Sequence, residues 1–102
     1  MNTKEKIEQI LRQTLAATVV EVEDESALHA GHAGAASGGG HYRVTVVSPL
    51  FERKSRVMRH RMVYGALATE MQRTIHALAL TTLAPSQWES AQRKPDEPAR
   101  LR

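Results

Sequence analysis

The chain has 102 residues, of which 41% are apolar and 25% charged, with no cysteine and a formal net charge of +3 at pH 7. That is the size of one domain, and the lack of cysteine excludes a disulfide, a thiolate metal site and a cysteine nucleophile within it. No apolar run approaches the ~20 residues of a membrane span, and the start MNTKEKIEQI has no signal-peptide core, so a cytoplasmic protein is expected.

Asn2 followed three residues later by Glu5 forms a capping pair, and Ile7, Ile10, Leu11 and Leu15 make an apolar stripe. Together they predict a first helix from about Lys4 to Ala16. Thr18 to Asp24 (TVVEVED) puts Val20 and Val22 on one face and Glu21 and Glu23 on the other, the pattern of a half-buried strand. Residues 25–40 (ESALHAGHAGAASGGG) offer too little apolar area to offset their ordering entropy, so a flexible loop is expected. Its Gly31-His32-Ala33-Gly34 matches the GxxG of nucleic-acid-clamping loops, but those join two helices, whereas this stretch joins two strands. A second strand follows from His41 to Ser48, with Tyr42, Val44 and Val46 facing one way and Arg43 and Thr45 the other.

Ser48-Pro49 marks a turn, and Phe51, the single phenylalanine, reads as a core anchor. Residues 56–83 carry the clearest pattern. A basic head (Arg56, Arg59, His60, Arg61) runs into Val63, Leu67 and Met71 at helical spacing, and the pattern stops at Thr74. From His76 the chain alternates with a period of two, which predicts a third strand with His76 on the face of Leu78 and Leu80. Pro85 suits the first turn of a last short helix, SQWESAQ, although Ala84 is a poor cap; Trp88 would pack that helix back on the sheet. From Gln92 the chain is charged and holds two prolines, which predicts a disordered tail at 92–102 after one domain at 1–91. The order α-β-β-α-β-α predicts an α+β fold, with helices over one face of a three-stranded sheet.

Charge is unevenly spread. The last ten residues supply +2, leaving +1 on the rest, where Arg53, Lys54, Arg56, Arg59 and Arg61 oppose the acidic group Glu21, Glu23, Asp24 and Glu25. Cations at a helix start oppose its dipole and call for an offsetting role, such as contact with nucleic-acid phosphates or an acidic protein face. An enzyme is disfavoured, because no serine sits in a nucleophile elbow and no acid–base pair recurs at helical spacing. The histidines remain. His76 reads either as a half-buried residue satisfied by a backbone carbonyl or as an exposed metal ligand at a strand end. His29 and His32 read as solvated loop residues, or as a source of one further imidazole near His76. Two imidazoles hold a metal weakly, so such a site needs ligands from a second protein.

The run Arg59-His60-Arg61-Met62-Val63-Tyr64, then Ala66-Leu67-Ala68 and His76-Ala77-Leu78-Ala79-Leu80, resembles the BolA family, as do VEDES at 22–26, His41-Tyr42, Val46-Val47-Ser48, Phe51, Pro85 and Trp88. The resemblance covers about residues 4–91. It implies a class II KH-like topology and association with a monothiol glutaredoxin that shares a [2Fe-2S] cluster, the partner supplying cysteine and glutathione thiols. It further implies His76 as the cluster ligand on this chain, with His29 second and His32 its neighbour and rival. Replacing thiolate by imidazole raises a cluster's potential. Some bacterial members are described as DNA-binding regulators of morphology and stress genes, which would use the basic helix beginning near Arg56. A homodimer is compatible with the same chain. Arg53 departs from the family pattern, standing where glycine is common, and Arg56 replaces a usually apolar residue.

Overall fold

A computed structural model describes residues 2–26 and 40–93. Helix α1 (Thr3–Leu15) starts at the expected capping box: Glu5 N–H donates to Asn2 Oδ1 at 2.8 Å and Asn2 N–H to Glu5 Oε1 at 3.1 Å. Ile7, Leu11 and Leu15 on its buried stripe face the sheet core. Strand β1 (Val19–Asp24) pairs antiparallel with β2 (Gly40–Val47), and β2 pairs parallel with β3 (Ile75–Leu83), so the sheet order is β1-β2-β3. Between β2 and β3 lie a 3-10 turn (Pro49–Phe51), α2 (Arg56–Ala66) and α3 (Ala68–Arg73); α4 (Pro85–Arg93) follows β3. A parallel pair needs a crossover, and the two middle helices supply it.

Val20, Val22, Tyr42, Val44 and Val46 project from one sheet face into the core, where Phe51, Val63 and Leu67 meet them. Each fully buried large apolar side chain contributes roughly 1.5–3 kcal/mol of transfer free energy, and this cluster holds the α1 and α2 stripes against the sheet. At the start of β2 the Tyr42 ring lies where a Cβ on residue 40 would stand, which accounts for Gly40.

Three details differ from the expectation. The long middle helix is kinked at Leu67, whose φ of −100° and ψ of 17° depart from helical values while its N–H still reaches Val63 O at 3.0 Å. Gly65, a weak helix former, weakens the turn before it, and full burial of Leu67 rewards the bend. The last helix runs through Arg93, two residues past the predicted boundary of the tail; residues 94–102 lie outside the described part. Ala84, lacking a capping side chain, has its N–H taken by Gln87 Oε1 at 2.8 Å instead. Trp88 is half-buried and stands apart from the main core cluster.

The third difference bears on the site. The pairing steps from Gly40↔Ile75 to His41↔Ala77, which leaves His76 as the extra residue of a bulge. Ile75 is 3% exposed and Leu78 packs against the core, whereas His76 is exposed. Regular alternation would put His76, not Ile75, on the Leu78 face. Burying isoleucine gains roughly 1.5–3 kcal/mol, and an unpaired imidazole there would lose about 1–3 kcal/mol, so the bulge wins.

Candidate functional site

Two groups of side chains stand at opposite ends of β3. At its start the bulge lifts His76 out of the core face and beside His41, with ring centroids 5.1 Å apart and planes tilted by 50°. His41 is held by its backbone: its N–H donates to Ser26 Oγ at 3.1 Å, and its carbonyl accepts from Glu25 N–H at 2.7 Å. Ser26 is in turn fixed by Asp24, whose Oδ1 accepts the Ser26 N–H at 2.9 Å. The Ser26 hydroxyl and N–H together hold the Asp24 carboxyl below its usual range. The Asp24-Glu25-Ser26 segment is thus a clamp that locates His41.

A shallow cavity of about 210 Å³ opens beside the pair, lined by Glu25, His41, Tyr42, Ala77, Leu78 and Ala79. Glu25 is not spare there, because its carboxylate accepts from Arg43 Nε at 3.0 Å. That hydrogen bond and the Glu25 charge hold Arg43 still more firmly in its charged form. Among the described residues no group of three or more potential ligands gathers anywhere. The donor set at this end is two imidazoles, which fits half of a four-ligand site shared with a partner's thiolates and does not fit a metal held by this chain alone. His29 and His32 lie outside the described residues. Sequence reasoning did not single out His41, which only its opening of a strand marked; the β2–β3 pairing brings it beside His76.

At the other end, the first turns of α2, residues Leu80 to Leu83 and Gln87 enclose a groove of about 600 Å³, also lined by Lys54, Arg56, Arg59 and His60. Ser55 caps α2, its Oγ accepting from Met58 N–H at 3.1 Å. The basic residues divide by role. Arg59 donates from Nε to Lys54 O at 3.0 Å, and from Nη1 to Thr82 O at 3.1 Å and Gln87 Oε1 at 2.9 Å, with its guanidinium 5.7 Å from the Phe51 ring centre. It is a structural staple. Arg53, Lys54, Arg56 and Arg61 are exposed and take no part in the ion pairs found among the described residues. Lys54 and Arg56 line the groove; Arg53 and Arg61 do not.

A family model described as BolA-like protein matches residues 11–87. The chain is 41% identical over 92 residues to the DNA-binding transcriptional regulator BolA of Escherichia coli K12, covering 90% of this chain and 85% of that one. It is 44% identical over 78 residues to mouse BolA-like protein 1, matching 76% of this chain but only 55% of the longer mouse protein. Among solved structures, BolA1 from Arabidopsis thaliana superposes with a TM-score of 0.72 at 31% identity, covering 85% of this chain and 96% of that one.

Proposed function

The chain belongs to the BolA-like protein family, and from that premise we propose that it is a non-enzymatic cytoplasmic adaptor, pairing with a monothiol glutaredoxin to hold a shared [2Fe-2S] cluster in iron–sulfur handling or iron and stress sensing. The observation that carries this reading is the exposed His76, raised on a bulge beside a second imidazole, with no third ligand near it among the described residues. Such a half-site is useful only with a partner. His76 supplies one imidazole and, as the family resemblance implies, His29 a second; the partner supplies its cysteine and glutathione thiols. The bulge sets His76 where a docked partner reaches it, and the Asp24-Ser26 clamp keeps the neighbouring backbone from moving away. The cluster, when bound, supplies one-electron redox chemistry at a potential raised by histidine ligation.

The test mixes the purified chain with cluster-loaded monothiol glutaredoxin and follows visible circular dichroism. A new spectrum with the wild type that is lost or altered with His76→Ala supports the adaptor. A spectrum that stays that of the glutaredoxin alone with both proteins refutes it.

A second reading, DNA binding, is favoured by the groove with its free cations and by the name of the Escherichia coli relative. There Lys54, Arg56 and the nearby Arg53 and Arg61 contact phosphates, while Arg59 contributes through the shape of the groove it braces. Binding of this kind weakens steeply with salt, whereas the cluster spectrum depends on His76 and hardly on salt.

A further inference from the structure

The outer edge of β3 carries backbone groups that the sheet does not use. Leu83 C=O accepts from Ser48 N–H at the end of β2 at 3.1 Å. Strand alternation therefore turns the backbone groups of residues 79, 81 and 83 toward β2, and those of residues 78, 80 and 82 away from it. Two of the outward carbonyls are capped from α2: Tyr64 O–H donates to Leu78 O at 3.2 Å, and Arg59 Nη1 to Thr82 O at 3.1 Å. Between these caps, Leu80 N–H, Leu80 C=O and Thr82 N–H take no hydrogen bond from the other described residues. Leu80 and Thr82 line the groove of about 600 Å³, together with Lys54, Arg56 and His60; no acidic side chain is among its described lining residues.

We infer that this groove docks a short extended peptide, with acidic side chains at alternate positions, as an added strand on the outer edge of β3. An edge strand is a template for a further strand. One peptide residue exchanges both of its backbone hydrogen bonds with Leu80, and a following carbonyl accepts from Thr82 N–H. A phosphate offers acceptors only and leaves Leu80 C=O unmatched, so the edge suits polypeptide better than nucleic acid. Residues paired across two strands share a face. The peptide residue opposite Leu80, and those two positions either side of it, therefore lie on the face that α2 covers, where Lys54, Arg56 and His60 stand. Carboxylates at a period of two meet those cations. The caps at Leu78 and Thr82 leave only about 13 Å of open strand between them. That admits a short peptide and refuses the long pairing that makes edges aggregate. The groove lies at the far end of β3 from His76, so the inference is independent of the cluster reading.

The probe is the end-capped pentapeptide acetyl-Glu-Thr-Glu-Thr-Glu-amide, titrated into the ¹⁵N-labelled full chain and followed by amide NMR. Saturable shifts of the Leu80 and Thr82 amide signals are expected, with those two amides slowed in hydrogen exchange. Methylating the backbone nitrogen of the central glutamate removes the donor to Leu80 C=O and should weaken binding roughly tenfold. Exchanging the three glutamates for glutamines, or Lys54→Ala/Arg56→Ala in the protein, should weaken it roughly fivefold. Both of those protein side chains are exposed, so the variant keeps its fold. Equal affinity for the methylated peptide would overturn the inference, because charge alone would then account for binding. Shifts that bypass Leu80 and Thr82, or that do not saturate at millimolar peptide, would overturn it too. A duplex oligonucleotide that moves the Leu80 and Thr82 amides where the peptide does not would overturn it and give the groove to DNA.

Discussion

Ser48 shows how much one buried polar atom can hold. It is fully buried, and its Oγ donates to Leu15 O at the end of α1 and accepts Leu50 N–H at 3.0 Å in the turn that carries Phe51. Ser48→Ala would leave the Leu15 carbonyl unsatisfied in the core, and we expect a loss of about 1–3 kcal/mol, read from urea unfolding monitored by Trp88 fluorescence. Arg53 is the opposite case, since its φ of 62° places it in the left-handed region. A side chain there costs about 1–2 kcal/mol relative to the right-handed form, a cost that glycine escapes. Arg53→Gly therefore relieves strain but adds unfolded-state entropy; the expected net gain is roughly 0.5–1 kcal/mol, seen as a higher urea midpoint.

Among the elements, α2 does the joining. Through Arg59 it ties the Lys54 carbonyl, the end of β3 and the first turn of α4 into one corner, over the Phe51 ring. Hydrogen bonds to a charged group contribute more than neutral ones, and partial exposure reduces them, so Arg59→Ala should cost about 1–2 kcal/mol. Arg56→Ala and Arg61→Ala should stay within roughly 0.5 kcal/mol of the wild type in the same unfolding measurement. In the DNA reading the order reverses. Removing Arg56 or Arg61 lowers the salt slope of duplex binding by about one each. Stability and salt slope measured on the three variants separate the staple from the phosphate contacts.

Across the whole molecule, the histidine pair and the basic groove occupy opposite ends of β3, ~20 Å apart along the strand. That is beyond a Debye length of ~8 Å at physiological salt, so charge at one end acts little on the other. We expect His76→Ala to leave the anisotropy-measured affinity for a labelled duplex within about twofold, and Arg56→Ala to leave the cluster spectrum with glutaredoxin unchanged. Loss of both properties in either variant would mean that the two ends are coupled. None of the described helices is long and apolar enough to cross a membrane.

The sequence by itself determined the order of the elements, the α1 capping box, the alternation in β1 and β2, Phe51 as core and the family, from the RHRMVY and HALAL segments. These are written in windows of a few residues, where spacing and caps act locally. Tertiary structure alone decided the rest. His41 and His76 are brought together only by parallel pairing across the crossover, and the bulge that exposes His76 exists because Ile75 competes better for the core. Arg59 reads as one more surface cation until Thr82 and Gln87, distant in sequence, take its hydrogens. Period-two alternation carries no mark of a bulge, and a local charge pattern carries no mark of the partner that will use it up, because both are settled by which residues the packed core brings face to face.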